Sequence, residues 1–476
     1  MNKDPRQILL NSPMSRMQIM IVGITILLNA LDGYDVLSIS LAAGSIRNEL
    51  GIDNSLTGLL LSMELVGMAL GSIFLGRYAD KWGRRPMILA CLIMMTIGMY
   101  LVTTDPGIMA RVVLPLLTAI PWFSEWPIEL VHISIWRIIT GLGIGGMLAS
   151  INACVAEYSN GKKKHLCVAL MAIGYPVGAS TGGFIAAELL EVYTWESVFL
   201  LGFGMTALMI PVVYFLVPET IYWQVRNQRE GTLEKINSTL RKMGHAAVDA
   251  LPDIRQEQAQ KSHDSIFSPQ LIRTTVILTF AYFFHIMTFY YILKWTGVIV
   301  EDRGFLASEA SRVLSWLNVG GATGGAVIGV LTLKYDLKYL TIGAMIMSTI
   351  MVAIYGSVGS ELVQMTLICI ASGFFVNAAI NGMYAIFAHA YPTQVRAAGT
   401  GFAIGVGRGG SIVAPAVAGI MLDAQVGVPT ISVFLACGSL FAAVALFFLK
   451  LEPDEPEAAK TESTVATKPR LRESTA

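Results

Sequence analysis

About twelve stretches of roughly 20 mostly apolar residues run through this chain, and each is long enough to cross a bilayer as an α-helix. The 476 residues are 54% hydrophobic and only 14% charged, which is far from the balance of a soluble domain. We therefore predict an all-α integral membrane protein. Its predicted spans 1 to 12 are residues 17–41, 56–76, 86–104, 132–156, 166–189, 194–217, 272–299, 309–333, 340–358, 362–386, 397–420 and 428–449.

The spans fall into two sets of six, separated by a polar stretch that contains the helical-looking piece "TLEKINSTLRKMG". Two six-helix halves joined by a linker predict a transporter built from repeats, with its site near the midplane between them. We expect a polar, proline-containing tail to be disordered. The predicted divisions are an N-terminal half (1–217), a linker (218–270), a C-terminal half (271–449) and the tail (450–476).

Basic residues are concentrated in one set of connections between the spans, and such connections usually face the cytoplasm. The opposite connections carry only isolated arginines. The first apolar run is longer than the core of a signal peptide and lacks a small-residue cleavage site, so we expect it to be retained. We predict a multi-pass protein of the cytoplasmic (inner) membrane with both termini in the cytoplasm.

Several functional classes find no support in the sequence. The net charge is zero and there is no basic tract, so nothing indicates nucleic-acid binding. The five cysteines lie in apolar segments without metal-ligand spacing. No G-x-x-x-x-G-K-[ST] loop is present, so ATP is not the obvious energy source. We expect no catalytic site, cofactor or metal, and a monomer driven by an ion gradient.

The loop "GRYADKWGRR" after span 2 resembles the G-x-x-x-D-[RK]-x-G-[RK]-[RK] signature of the major facilitator superfamily. The resemblance implies the major facilitator fold. Glycines allow helix ends to approach, and an aspartate here caps a helix or pairs with arginines. The other interpretation is a basic loop that only sets topology. The candidate gating residues are Gly76, Asp80, Gly83, Arg84 and Arg85, with Glu157 at the end of span 4 as a partner for the arginines.

Four further stretches are similar to the aromatic acid/proton symporter family, which includes the benzoate and 4-hydroxybenzoate transporters. They lie in spans 1, 4, 5 and 11 and read "DGYD", "WRIITGLGIGGMLASINACVAEY", "GYPVGASTGG" and "YPTQVRAAGTGFAIGVGRGGSIVAP". This resemblance implies proton-coupled transport of a small aromatic or related organic carboxylate.

Two acidic residues interrupt the apolar run of span 1. Asp32 and Asp35 are three positions apart, so they share a helix face with Asn29. Two carboxylates this close in a low dielectric should not both ionise readily, which is what a proton carrier needs. Gly33 permits either close approach of another helix or local unwinding. The alternative role for the pair is a structural polar face.

Two further charged residues, in spans 4 and 2, are expected at about the same depth in the bilayer as Asp32. Arg137 in span 4 is a candidate counter-charge that holds one aspartate ionised until a proton or substrate displaces it. Glu64 in span 2 either competes for Arg137 or faces a polar seam. We predict proton coupling by Asp32, Asp35, Arg137 and Glu64.

Arg408 of span 11 lies near mid-bilayer, where its guanidinium needs an anion, and its planar fork suits a carboxylate. We predict that it anchors the substrate carboxylate, with Asn381 and Tyr34 as further substrate contacts. An internal salt bridge with Asp32 is the alternative. The glycines that we expect to leave open space around Arg408 are Gly405, Gly407, Gly409 and Gly410.

Span 7 contains Lys294 and His285 among several aromatic residues. We expect Lys294 to extend toward the outer interface rather than to bind a ligand, and His285 to be a hydrogen-bonded core group. The aromatic rings either stack on an aromatic substrate or face lipid. Elsewhere, small residues four apart should permit tight helix packing: Gly141 with Gly145, and Gly178 with Gly182.

Together these features predict a secondary transporter that takes up a small aromatic or related organic carboxylate with protons by alternating access. Three alternatives stay open. They are a drug/proton antiporter of the same fold, a sugar or polyol porter of the same fold, and a non-transporting membrane receptor or scaffold.

Overall fold

The computed structural model describes residues 4–119, 126–252, 265–392 and 395–450. Within these ranges the regular structure is helical, and twelve helices are long and apolar enough to cross a membrane. The predicted all-α membrane fold is confirmed. Spans 1 to 12 are Arg16–Leu50, Asn54–Trp82, Arg84–Val102, Ile128–Tyr158, Lys164–Leu190, Glu196–Leu216, Ile272–Asp302, Ala307–Leu331, Leu337–Ser357, Leu362–Ala390, Ala398–Asp423 and Val428–Phe447.

Span 1 is longer than its predicted limits of 17–41. It begins at a capping box in which Ser15 and Gln18 exchange side-chain and backbone hydrogen bonds. It ends at Gly51, whose φ of 62° is the left-handed conformation that glycine adopts readily. The helix therefore continues past the apolar run, because hydropathy marks where lipid ends and not where a capped helix ends.

In the part of the chain that the structure describes, four shorter helices lie outside the spans: Pro5–Asn11, Ile108–Thr118, Ile221–Arg226 and Thr232–Lys242. The second lies in the connection between spans 3 and 4. The last two lie between spans 6 and 7, and Thr232–Lys242 confirms the predicted helix in the linker. The predicted disordered tail, beyond Lys450, lies outside the described residues.

Glycines allow pairs of spans to touch backbone to backbone. A Cβ added to Gly141 would lie 2.1 Å from the carbonyl oxygen of Glu64, and one on Gly178 would lie 2.0 Å from that of Ala30. Gly145 is confined by the backbone of Met68, and Gly182 by the ring of Tyr34. The predicted tight packing is confirmed, and it joins span 2 to span 4 and span 1 to span 5.

The N-terminal half (spans 1–6) and the C-terminal half (spans 7–12) meet mainly at one end of the bundle. We call the end that carries the helices between spans 6 and 7 the linker end, and the other the distal end. At the distal end Arg47 pairs with Asp302, and Arg312 pairs with Glu188 (3.0 Å) and Glu191 (2.5 Å). These three ion pairs link the ends of spans 1 and 5 to the ends of spans 7 and 8.

Hydrogen bonds also join the two halves near the distal end. The Asp423 carboxylate at the end of span 11 accepts from the backbone N–H groups of Asn54 (3.1 Å) and Ser55 (2.6 Å). Among the described residues, every hydrogen bond and ion pair that joins the halves lies between the distal end and the level of Ser72 and Arg408. The bundle is closed at the distal end, and the halves are not bonded to each other at the linker end of the described structure.

Candidate functional site

Arg408 stands at a break in span 11, between helices Arg396–Gly407 and Gly409–Asp423. Its half-buried guanidinium donates to the hydroxyl of Ser72 (2.5 Å) and to the carbonyl of Met68 (3.3 Å), both on the opposite half. It is within electrostatic range of Asp32. However, no ion pair joins the two, nor does Arg408 form one with any other described residue. The cation is thus held by neutral acceptors.

The open space predicted around Arg408 exists at only one of its four glycines. Gly405 has no heavy atom within 4 Å of an added Cβ. In contrast, Gly407, Gly409 and Gly410 are packed against span 7, where Phe283 is a neighbour of all three. The prediction of open space is wrong for these three, because they serve to bring span 11 against span 7.

Two tyrosines of span 7, Tyr282 and Tyr290, lie within electrostatic range of the guanidinium. Each has a second tyrosine as a partner, and we call the four the tyrosine cluster: Tyr175, Tyr282, Tyr290 and Tyr384. The hydroxyls of Tyr282 and Tyr384 lie 3.2 Å apart. The hydroxyl of Tyr290 interacts with Arg408 and with Tyr175, which belongs to the opposite half. Sequence reasoning noted Tyr290 only as one of many rings. The usable signal was that a tyrosine hydroxyl inside a span needs a polar partner.

The two acidic residues of span 1 are buried, with Asp32 1% and Asp35 0% exposed. Among the described residues neither carboxyl group has a hydrogen-bond partner. Asn29, one turn away, donates to the carbonyl of Met171 in span 5. Gly33 provides close approach and not unwinding, because the helix is continuous and an added Cβ would lie 2.0 Å from the carbonyl oxygen of Tyr175.

Glu64 is paired with two cationic side chains. It forms ion pairs with Arg137 (2.5 Å) and with Lys294 (3.1 Å), and all three side chains are fully buried. Arg137 also donates to the backbone carbonyl of Asp35 at 2.9 Å. The expectation that Arg137 pairs with an aspartate carboxylate is therefore wrong for this structure, because Glu64 takes it. The expectation that Lys294 extends toward the outer interface is also wrong, because its buried amine pairs with Glu64 of the other half.

The remaining predicted contacts are not hydrogen-bonded to Arg408 among the described residues. Tyr34 is buried inside the N-terminal half, with its hydroxyl donating to the carbonyl of Val198 (2.6 Å), so that donor is already used. Asn381 is half-buried against Gly325 of span 8 and donates to the carbonyl of Asn377. His285 bonds Ser439 and the carbonyl of Val376, which confirms that it is a satisfied core group.

The signature loop forms a charge cluster at the linker end. Arg84 pairs with Asp80 (2.8 Å) and with Glu157 (3.3 Å), so the predicted partnership is formed. Arg85 donates to the carbonyl of Tyr214 and lies over its ring. Gly76 makes only ordinary contact with Ala149.

Sequence reasoning missed Glu219, which holds this loop in place. Its carboxylate accepts from the backbone N–H groups of Arg84 (3.0 Å) and Arg85 (3.2 Å) at the start of span 3, where an anion is favoured. Gly83 faces this carboxylate with a φ of 118°, which is why a glycine is needed there. Burial raises the pKa of Glu219 above its usual value, against the lowering effect of the N–H donors.

No group of three or more histidine, cysteine, aspartate or glutamate residues in the described ranges is placed to hold a metal ion. The site consists of buried charges, tyrosine hydroxyls and backbone carbonyls between two helical halves. Such an arrangement can bind an anion and exchange a proton.

Comparison with known proteins agrees with this description. The sequence profile of the Major Facilitator Superfamily matches residues 23–372 and 275–474. The chain is 27% identical to the benzoate transport protein of Acinetobacter baylyi, over 93% of each chain. It is 24% identical to the 4-hydroxybenzoate transporter PcaK of the same organism, over 94% of each chain. These relatives confirm the resemblance to transporters of aromatic acids.

A solved structure shares the fold. The partially occluded inward open conformation of the xylose transporter XylE from Escherichia coli superposes with a TM-score of 0.72, at 15% identity, over 93% of this chain and all of that one. The twelve spans, the signature loop and the profile match lead to one conclusion. The chain is a multi-pass membrane transporter and belongs to the Major Facilitator Superfamily.

Proposed function

We propose that this protein is a proton-coupled symporter that imports a small aromatic carboxylate by alternating access. The observation that carries the proposal is the state of Arg408, a half-buried cation between the two halves that is held by neutral acceptors. Tyr282 and Tyr290 lie within its electrostatic range. A guanidinium at this depth favours a carboxylate in two parallel hydrogen bonds, and tyrosine rings favour an aromatic partner. The named relatives transport such acids.

Proton coupling is assigned to Asp32 and Asp35. Both carboxyl groups are buried without a hydrogen-bond donor among the described residues, an environment that strongly disfavours an ionised carboxylate. Binding of the substrate anion at Arg408 and of a proton at the aspartate pair neutralises both kinds of charge together. The neutralised site can then pass through a closed state as the halves rock against each other.

The protein works as a monomer in the inner membrane, with the linker end and both termini in the cytoplasm. The basic connections support this orientation. The closed distal end then faces outward, so the described structure is open toward the cytoplasm. In this orientation the Asp80, Arg84 and Glu157 cluster acts as an inner gate that lies within the N-terminal half when that side is open.

A substrate panel in proteoliposomes tests the proposal. Radiolabelled benzoate, 4-hydroxybenzoate, an aliphatic acid, a sugar and a cationic drug are offered to the purified protein. We expect uptake of the two aromatic acids and not of the sugar or the drug. Uptake of the sugar or extrusion of the drug instead would favour one of the other porter classes, and movement of no solute would favour a receptor or scaffold.

Arg408→Ala tests the anchor. Loss of a hydrogen bond to a charged group should raise the half-saturation concentration for 4-hydroxybenzoate by about ten- to a hundredfold. Arg396→Ala is a matched control, because that arginine begins the helix Arg396–Gly407 at the linker end and donates to the carbonyl of Tyr391. Undiminished affinity in Arg408→Ala would remove the carboxylate anchor from the proposal.

A further inference from the structure

Lys294 is a fully buried amine in the middle of span 7, and the role proposed above does not use it. Its Nζ donates to the carbonyl of Val36 (2.6 Å) and lies 3.1 Å from Oε2 of Glu64. Val36 belongs to span 1 and Glu64 to span 2, whereas Lys294 belongs to the C-terminal half. Both of its acceptors therefore lie on the opposite half.

Glu64 does not depend on Lys294 in the same way. Its second partner is Arg137, which belongs to its own half and lies 2.5 Å away. When the halves separate at the distal end, Glu64 keeps Arg137, but Lys294 loses both acceptors at once. The lysine lies eight residues before the distal end of span 7, about 12 Å along the helix, in the region that this movement opens.

A lysine exposed to the open cleft without an acceptor attracts an anion, because its own carboxylate partner has moved away with the other half. We propose that Lys294 is the first carboxylate-binding residue of the distal-open state. It binds the incoming aromatic carboxylate and releases it when the distal end closes and Glu64 pairs with Lys294 again. This inference rests on the proposed function, which supplies the aromatic acid and the rocking movement.

The position of Tyr290 supports a path from Lys294 to Arg408. Tyr290 lies one helical turn before Lys294 on span 7, within electrostatic range of both Arg408 and Glu64. Arg408 itself lies about 22 Å from the distal end of span 11, deeper than Lys294. A carboxylate released by Lys294 therefore moves inward past Tyr290 to reach Arg408.

The test is sided exchange of 4-hydroxybenzoate in proteoliposomes of uniform orientation, with the concentration varied on one side at a time. Exchange needs binding and rocking but no proton gradient. We expect Lys294→Met to raise the half-saturation concentration on the distal side by about tenfold or more. The half-saturation concentration on the linker side should stay near the wild-type value, and Lys294→Arg should restore the distal value.

A purely structural role for Lys294 makes a different prediction. Glu64 keeps Arg137 when Lys294 is replaced, so Lys294→Met leaves that carboxylate paired. If Lys294 only stabilises the closed distal end, its loss should favour the distal-open state and therefore lower the distal half-saturation concentration. If Lys294 binds the substrate, the distal value should rise. A lowered or unchanged distal value in Lys294→Met, or failure of Lys294→Arg to restore the wild-type value, would overturn the inference.

The two proposals fail in distinguishable ways. If the wild-type protein exchanges no aromatic acid, the proposed function is wrong and the inference is overturned with it. If the wild type exchanges 4-hydroxybenzoate and Lys294→Met leaves the distal half-saturation concentration unchanged, the inference alone is wrong.

Discussion

At the scale of residues, the buried charges between the halves differ in how completely they are paired. Glu64 has two cationic partners, whereas the carboxyl groups of Asp32 and Asp35 have no hydrogen-bond donor among the described residues. An unpaired buried carboxylate is costly, so protonation relieves it. The cost is what makes these two groups responsive to protons, whereas Glu64 keeps Arg137 as an ion-pair partner within its own half.

Asparagine mimics a protonated aspartate, so Asp32→Asn and Asp35→Asn separate coupling from transport. We expect each variant to lose accumulation driven by a pH gradient but to keep exchange of 4-hydroxybenzoate, because the neutral side chain suits the buried site. Asp105→Asn, at an exposed position between spans 3 and 4, is the control. If both buried variants still accumulate substrate like the wild type, the protons are carried elsewhere.

The presence of buried charges was predictable from the sequence, but their pairing was not. Charged residues inside apolar runs mark Asp32, Arg137 and Arg408 directly. The partner of Lys294, however, lies 230 positions earlier in the chain, and only the packing of the two halves brings them together. For the same reason Tyr175 and Tyr290 could not be recognised as neighbours, since they belong to different halves.

At the scale of elements, close contact between span 1 and span 5 positions the two aspartates. Gly33 lies between them, and its Cα faces the backbone of Tyr175 without room for a methyl group. Because the obstacle is backbone and not a flexible side chain, the two helices must move apart if the glycine is replaced.

Gly33→Ala should therefore destabilise the protein by about 1–3 kcal/mol, the usual cost of overpacking. The expected result is a lower melting temperature in detergent and reduced uptake of 4-hydroxybenzoate. Gly23→Ala is a matched control on the same helix, since an added Cβ there meets nothing within 4 Å. Equal melting temperatures for the two variants would contradict the tight contact.

Helix positions were predicted better than helix ends. Hydropathy located all twelve spans because lipid demands a run of apolar residues. It could not show that span 1 continues to Leu50, or that span 11 breaks at Arg408, because caps and local hydrogen bonds decide those features. Likewise, the glycines beside Arg408 looked like open space in the sequence, but Gly407 and Gly410 are contacts with span 7.

At the scale of the whole molecule, ion pairs and hydrogen bonds join the two halves at the distal end, and transport requires these contacts to break. A cysteine pair across spans 5 and 8 tests this directly. A Cβ built on Gly183 lies 3.4 Å from the Cβ of Ser315, close to the separation found in disulfides. Oxidation of Gly183→Cys/Ser315→Cys should thus lock the described state.

We expect the oxidised pair to stop uptake of 4-hydroxybenzoate and a reducing agent to restore it. Gly183→Cys/Ser315→Ala, which lacks the second thiol, is the control and should be insensitive to oxidation. Four of the five native cysteines are buried, which limits competing reactions. Normal uptake by the cross-linked protein would show that the distal end does not open during transport.

The most direct measurement of the central claim is uptake of radiolabelled 4-hydroxybenzoate into proteoliposomes under an imposed pH gradient, acidic on the outside. Uptake into vesicles without the protein is subtracted, because neutral weak acids also cross lipid unaided. The account predicts a transient accumulation above equilibrium that a protonophore abolishes. Protein-dependent uptake that is the same with and without the gradient would contradict it.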